Sequence, residues 1–214
     1  MEEVDFTIPH PCNIIIAGAT GSGKTFLTLE LINRRWEAFS EPLQKVVYVY
    51  REFQDAFIDL QTKDSNVRFT NDLLEIENLT GPLLLIIDDF QDMLGEKQYN
   101  NLVKKMFLVL SHHRNISCVL LLQNLFVKGL RDCMINSQMT IAMDFPRDRS
   151  CITSLGRQIC PSKCKFLHEA YDAAVRDRDY GYLVLDCHPK HKKYAKLWLR
   201  SHLFPSDECR VFIE

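Results

Sequence analysis

Five residues of this chain have the types and surroundings needed to handle a polyphosphate: Lys24, Thr25, Asp88, Asp89 and Gln123. Lys24 and Thr25 close the run Gly18-Ala19-Thr20-Gly21-Ser22-Gly23-Lys24-Thr25, which fits G-x-x-x-x-G-K-[ST]. Glycines let successive backbone N–H groups curl round phosphate oxygens, and a helix opening behind them presents its positive dipole end. Lys24 is placed to reach the β- and γ-phosphates and Thr25 to offer its hydroxyl to Mg²⁺. Asp88 ends the apolar run Leu83-Leu84-Leu85-Ile86-Ile87, as the carboxylate of a Walker B strand does when it holds nucleotide-bound Mg²⁺. Asp89, one residue on, can orient or deprotonate an attacking water. Gln123 follows the apolar stretch Ile116 to Leu122 and can sense a γ-phosphate or hold that water. These residues together imply a nucleoside triphosphate site.

The elements that must position them are legible in the hydrophobic pattern. Asn13 to Ala17 is a β-branched strand entering the loop, and Phe26, Leu27, Leu29, Leu31, Ile32, Trp36 and Phe39 mark a helix to about Ala38. Lys45–Tyr50 reads as a second strand, Glu52–Gln61 as a helix and Val67–Phe69 as a short strand. Asn71 or Asp72 is a cap for a short helix through Glu77. The runs before Asp88 and Gln123 read as strands buried on both faces, with a helix from Lys97 to Ser111 between them. Later come a short helix at Leu130–Asn136, a strand at Met139–Met143, and helices at Asp148–Leu155 and Ser162–Ala174. Tyr182–Leu185 and Ala195–Leu199 read as strands pairing as a hairpin. Strands alternating with helices predict an α/β fold: a single domain with a mainly parallel sheet flanked by helices and a C-terminal β-hairpin. The expected division is a lead-in over 1–12, the nucleotide-binding domain over 13–205 and a tail over 206–214.

At 214 residues with net charge −2 and 46% hydrophobic content, the chain fits one sizeable globular domain, and its charge points to no particular partner. No apolar stretch approaches the roughly 18 residues of a membrane span, and Met1-Glu2-Glu3 does not open a signal peptide. The reading is neither secreted nor membrane-spanning. Of the eight cysteines, Cys12 and Cys118 adjoin or lie in apolar strands, which favours reduced thiols. Cys160, Cys164, Cys187, His188 and His191 have some of the spacing of a zinc site but lack a second tight pair, so unconnected thiols and surface histidines are the reading.

The order GATGSGKT, LLLIIDD, helix, SHHRNISCVLLLQN resembles the FtsK/HerA superfamily of ring-forming DNA translocases. The segment INSQMTIAMDFPRDRSCITSLGRQ and the strand at Gly181-Tyr182 resemble small viral genome-packaging ATPases of that superfamily. The Maverick/Polinton type is the nearest in pattern, with poxvirus and adenovirus packaging ATPases more distant. The resemblance runs from Pro11 to about Pro205. It implies a RecA/FtsK-like sheet, ATP and Mg²⁺ held by Gly18 to Thr25 and Asp88, Asp89 as catalytic acid/base and Gln123 as sensor. It also implies a ring homo-oligomer acting on double-stranded DNA, a capsid or portal partner, and a location in the virion or the host nucleus or cytoplasm. One departure stands out: the superfamily usually ends this strand in Asp-Glu, and here the pair is Asp88-Asp89.

Ring ATPases complete each site with an arginine from a neighbouring subunit, and Arg114, Arg147 and Arg149 are the candidates. For DNA contact, Lys163, Lys165, Lys190, Lys192, Lys193, Lys196 and Arg200 gather late in the chain, interleaved with His188, His191, Tyr194 and Trp198. Lys128 and Arg131 sit beside Phe126 on the loop leaving the sensor strand. A lysine-guarded edge strand accounts equally well for the late cluster. Two other functions share the phosphate loop: a nucleoside or nucleotide kinase, and a non-hydrolysing nucleotide-dependent assembly protein.

Overall fold

The computed structural model describes residues 5–191 and 198–213. Among the described residues the strands are β1 (Asn13–Ala17), β2 (Lys45–Tyr50), β3 (Val67–Thr70), β4 (Leu83–Asp88), β5 (Ile116–Leu122), β6 (Met139–Ala142), β7 (Leu183–Asp186), β8 (Trp198–Arg200) and β9 (Val211–Phe212). They form one sheet in the order β3-β2-β4-β5-β1-β6-β7-β8-β9. The first six in that order pair in parallel, and β6-β7, β7-β8 and β8-β9 are antiparallel. The expected mainly parallel sheet and C-terminal hairpin are both present. The two-residue β9 is too short to leave a periodic signal.

The helices are α1 (Lys24–Asn33), α2 (Arg35–Ala38), α3 (Asp55–Lys63), α4 (Lys97–Lys105), α5 (Ser111–His113), α6 (Arg131–Asn136), α7 (Ser150–Ile159) and α8 (Cys164–Arg176). Strand alternation divides the core between the two faces of the sheet. Ile15, Leu85, Ile87, Cys118 and Leu120 pack on one side with Leu102, Phe107, Leu155, Leu167 and Tyr171 of the later helices. Ile14, Ile16, Leu84, Ile86 and Val119 pack on the other with Leu27, Leu31, Phe57 and Leu60 of α1 and α3. A run apolar at every position is what two covered faces require.

The structure departs from the sequence pattern in three places. The helix expected from Phe26 to Ala38 breaks at Arg34 (φ −104°, ψ 17°). Beyond the break Arg35 turns inward, donating to the carbonyls of Ile32 (2.8 Å) and Leu43 (2.6 Å) and pairing with Asp64 at 2.6 Å. Phe26 and Trp36, grouped with the buried face, are more than half exposed. The helix from Lys97 also changes character: Met106–Leu110 is a π-helical turn, with the Phe107 carbonyl accepting from Asn13 Nδ2 at 2.5 Å. Such a turn has no signature in hydrophobic spacing.

At the edge opposite the phosphate loop lies a buried charged cluster. Asp186 accepts from Arg200 Nη1 at 2.8 Å, and its Oδ2 is 2.8 Å from His191 Nδ1. Arg200, His188 and His191, grouped with the late basic patch, are buried, so they belong to the interior. Lys192, Lys193, Tyr194 and Lys196 lie outside the described residues, as does the Trp198 side chain.

Candidate functional site

In a parallel sheet the loops leaving the carboxyl ends of the strands share one edge, so β1, β4 and β5 deliver their three motifs together. β1 leads into Gly18, whose N–H bonds the Leu122 carbonyl of β5 at 3.1 Å, and Ala19 N–H bonds Asp144 O beyond β6 at 3.0 Å. The loop thus spans the ends of both neighbours of β1. Gly21 (φ +81°) and Gly23 (φ +93°) are left-handed, a conformation that costs a residue with a Cβ about 1 kcal/mol or more. Gly23 is the N-cap of α1, which opens at Lys24 and aims its first N–H groups into the loop.

Thr20, Gly21, Gly23, Lys24, Thr25, Asp88, Asp89 and Gln123 line a single cleft of about 380 Å³. Gly18, Ala19 and Ser22 form the turn beneath it, where the Ser22 N–H donates to Ala19 O at 3.1 Å. Lys24 Nζ donates to the carbonyls of Gly18 (2.7 Å) and Ala19 (3.0 Å), which fixes the ammonium across the loop. Burial lowers the Lys24 pKa, while the nearby Asp88 and Asp89 charges oppose that shift.

Asp88 is the last residue of β4 and is 8% exposed. Its Oδ2 accepts from the Tyr48 hydroxyl at 2.6 Å. Burial raises the Asp88 pKa above 3.8, with Asp89 adding to the rise and the Tyr48 bond and Lys24 opposing it. Burial likewise holds the Tyr48 phenol well above its ordinary pKa, so it remains a donor. Asp88 keeps its second oxygen for a ligand. With the Thr25 hydroxyl in the same cleft, this is an all-oxygen donor set, and it fits a nucleotide-bound Mg²⁺ that retains several waters.

Asp89 has φ +59°. Aspartate is among the few non-glycine residues that tolerate the left-handed region, because its short polar side chain can bond locally. Gln123 Nε2 donates to Asp89 Oδ1 at 2.8 Å, so the structure brings these two residues into direct contact.

The three arginines are placed differently. Arg114 precedes β5 and lies at the opposite edge, a seven-residue strand or roughly 23 Å from Gln123. Its Nη1 donates to the carbonyls of Glu77 (2.5 Å) and Leu79 (3.2 Å). Arg147 and Arg149 follow β6 on the same edge as the cleft, both exposed. Arg149 pairs with Asp172 and stands 5.4 Å from the centre of the Tyr171 ring.

Among the described residues, no three His, Cys, Asp or Glu side chains converge on a metal-sized site, so the Cys160, Cys164, Cys187, His188 and His191 set is not assembled. Cys12, Cys118, Cys133 and Cys151 are buried, and burial raises their thiol pKa values. Among the described residues no helix is long and apolar enough to cross a membrane.

Sequence reasoning missed Tyr48, which bonds Asp88, and the cleft-lining residues Phe26, Arg51, Glu52, Gln54 and Tyr180. Tyr48 was hidden as one more β-forming residue of β2. Tyr180 and Arg51 line the cleft from loops with no motif. A tyrosine in the strand beside an acidic strand end is the signal that could have identified Tyr48.

The sheet order, the phosphate loop on β1 and the acidic end of β4 define the fold of the P-loop NTPases. Solved structures with this fold include the DNA-packaging ATPase B204 of Sulfolobus Turreted Icosahedral Virus, with TM-score 0.54 and 13% identity over 95% of this chain and 97% of that one. The genome packaging NTPase B204 of Sulfolobus turreted icosahedral virus 2, in complex with ATP-gammaS, gives TM-score 0.53 and 14% identity over 95% and 97%. The KaiC-like protein PH0186 of Pyrococcus horikoshii gives TM-score 0.50 and 12% identity over 95% and 91%. No protein-family model matches the chain, and no curated protein does.

Proposed function

We propose that this chain is an ATPase that moves double-stranded DNA into a capsid, acting as a ring of identical subunits against a capsid or portal protein. The observation that carries this reading is the Asp89–Gln123 contact beside the phosphate loop, in a chain that shares its fold end to end with viral packaging NTPases. A carboxylate bonded to a strand-end glutamine is suited to fixing one water in line with a γ-phosphate, and phosphoryl transfer depends chiefly on such positioning. That same pair weighs against a non-hydrolysing assembly role and against transfer to a nucleoside.

The proposed residue roles are these. Backbone N–H groups of Gly21 to Thr25 hold the α- and β-phosphates, and Lys24 moves from the Gly18 and Ala19 carbonyls to the β,γ-bridge region. Thr25 and Asp88 would hold Mg²⁺, which would supply positive charge beside the phosphates. Asp89 accepts a proton from the attacking water while Gln123 keeps its carboxylate aimed. Arg147 is the favoured trans-acting arginine, supported by its exposure on the cleft edge. Arg149 is the next choice, and Arg114 is third, because carbonyl bonds anchor it at the far edge. Lys128 and Arg131, leaving the sensor strand, are proposed to contact DNA phosphates without reading sequence.

The reading is tested by displacement of a third strand from a triplex on linear duplex DNA. ATP-dependent displacement that fails with Asp89→Asn supports it. Phosphate transfer to a nucleoside, or assembly without turnover, would replace it with the corresponding alternative.

A further inference from the structure

The cleft does not end with the residues that hold phosphate. Phe26 is the first residue after Thr25, and 61% of its surface is exposed. Tyr180, just ahead of β7, is 54% exposed. The two rings lie against each other with centroids 5.7 Å apart and planes at 34°, and both line the phosphate cleft. Tyr180 is also tight against the loop itself: a Cβ on Gly23 would come within 2.7 Å of its ring.

Tyr180 holds this place in a backbone conformation that tyrosine rarely adopts, with φ +56°. The turn is fixed from behind. Gly181 N–H bonds the Arg178 carbonyl at 3.1 Å, and Gly181 lies so close to the Ala174 and Val175 carbonyls that a Cβ there would come within 2.6 Å of both. A strained aromatic residue held in the open beside a phosphate loop is a reason to look for a ligand.

Sheet order says which part of a nucleotide reaches it. Along the carboxyl edge, Asp88 and Asp89 follow β4 and Gln123 follows β5, on one side of β1. Tyr180 precedes β7, on the other side. A triphosphate whose γ end lies at Asp89 and Gln123 therefore runs across Lys24 and Thr25 and delivers its nucleoside towards Phe26 and Tyr180.

We infer that Phe26 and Tyr180 form a stacking shelf for the nucleobase, one that favours purines over pyrimidines by ring area. The inference rests on the nucleotide reading above and adds how the base is recognised. Stacking uses the π-face that every base has, so the shelf reads ring size and does not separate adenine from guanine.

Isothermal titration of the full chain tests this, with Mg²⁺ complexes of ATP, GTP, UTP and tripolyphosphate. Wild type should bind ATP and GTP alike, and UTP several-fold more weakly. Phe26→Ala and Tyr180→Ala should each weaken ATP and GTP by about ten-fold or more, leave tripolyphosphate affinity unchanged, and narrow the gap to UTP. Tyr180→Phe should bind as wild type does and shows that the ring, not the hydroxyl, matters. Phe26 is exposed, so its alanine variant tests the shelf without disturbing the core. Unchanged ATP affinity in both alanine variants overturns the shelf, as does an equal loss of tripolyphosphate affinity. Loss of self-association with nucleotide affinity intact also overturns it and makes the rings a subunit contact. A wild type that binds tripolyphosphate as tightly as ATP removes the shelf and leaves the phosphate site standing. A wild type that binds none of the four removes the nucleotide reading itself.

Discussion

Tyr48 on β2 donates its hydroxyl hydrogen to Asp88 Oδ2, 2.6 Å away at the end of the neighbouring strand β4. The bond stabilises the ionised carboxylate inside a buried site and sets which of its oxygens faces the cleft. Tyr48→Phe removes it while keeping the ring packed against Phe57 and Phe69, whose centroids are 4.9 and 5.3 Å away. ATP hydrolysis should fall by about ten-fold, the scale of one hydrogen bond to a charged group. The acid limb of the pH–rate profile should move to higher pH, since the bond lowers the Asp88 pKa. A profile that does not move would mean Tyr48 only packs.

Asp88→Asn should separate stability from function. Burial raises the Asp88 pKa, so the native state binds its proton more tightly than the unfolded chain does. The ionised form therefore opposes folding at neutral pH, and the opposition disappears as pH falls through the raised value. The asparagine variant should melt above wild type at pH 7, the difference should close towards pH 4, and Mg²⁺-dependent hydrolysis should be lost. Equal melting temperatures at pH 7 would contradict the linkage.

Asp89→Asn and Gln123→Ala address the water-positioning pair. Asparagine also tolerates the left-handed backbone at position 89, so the fold should survive. Each variant should keep ATP affinity within a few-fold and lose on the order of 10²-fold or more in turnover. Single-turnover phosphate release measured beside nucleotide titration checks this, and weakened binding with normal turnover would count against it.

The Asp186–Arg200–His191 cluster should be purely structural. Burial pushes the Asp186 carboxyl up, but the His191 hydrogen bond and the Arg200 charge outweigh it and hold it below 3.8. Its stabilisation is therefore complete above the ordinary carboxyl range and fades as pH drops through the lowered value. Arg200→Met removes the guanidinium that neutralises the buried Asp186 carboxylate, leaving it to its His191 and His188 N–H contacts, and should cost roughly 3 kcal/mol by urea denaturation. Adding Asp186→Asn should recover most of that loss, and no recovery would mean Arg200 acts through packing.

The phosphate loop, Asp88, Asp89 and Gln123 stood out in sequence because each follows a largely apolar run, and such runs become parallel strands opening on one edge. The break at Arg34 was hidden because Phe26 and Trp36 keep helical spacing while facing outward. Arg200 looked like surface charge because a buried ion pair is visible only once Asp186 is seen beside it. Tyr180 carried no signal: its importance lies in a left-handed turn and in its nearness to Gly23, both products of tertiary structure. Gln123 lines the cleft, and its bond to Asp89 depends on a backbone angle that spacing does not encode.

The most direct test of the account is phosphate release from Mg²⁺·ATP with and without duplex DNA, comparing wild type with Lys24→Ala. Wild type should hydrolyse ATP, duplex DNA should stimulate it several-fold or more with steep weakening on added salt, and Lys24→Ala should not turn over. Hydrolysis indifferent to DNA, or undiminished in Lys24→Ala, would contradict it.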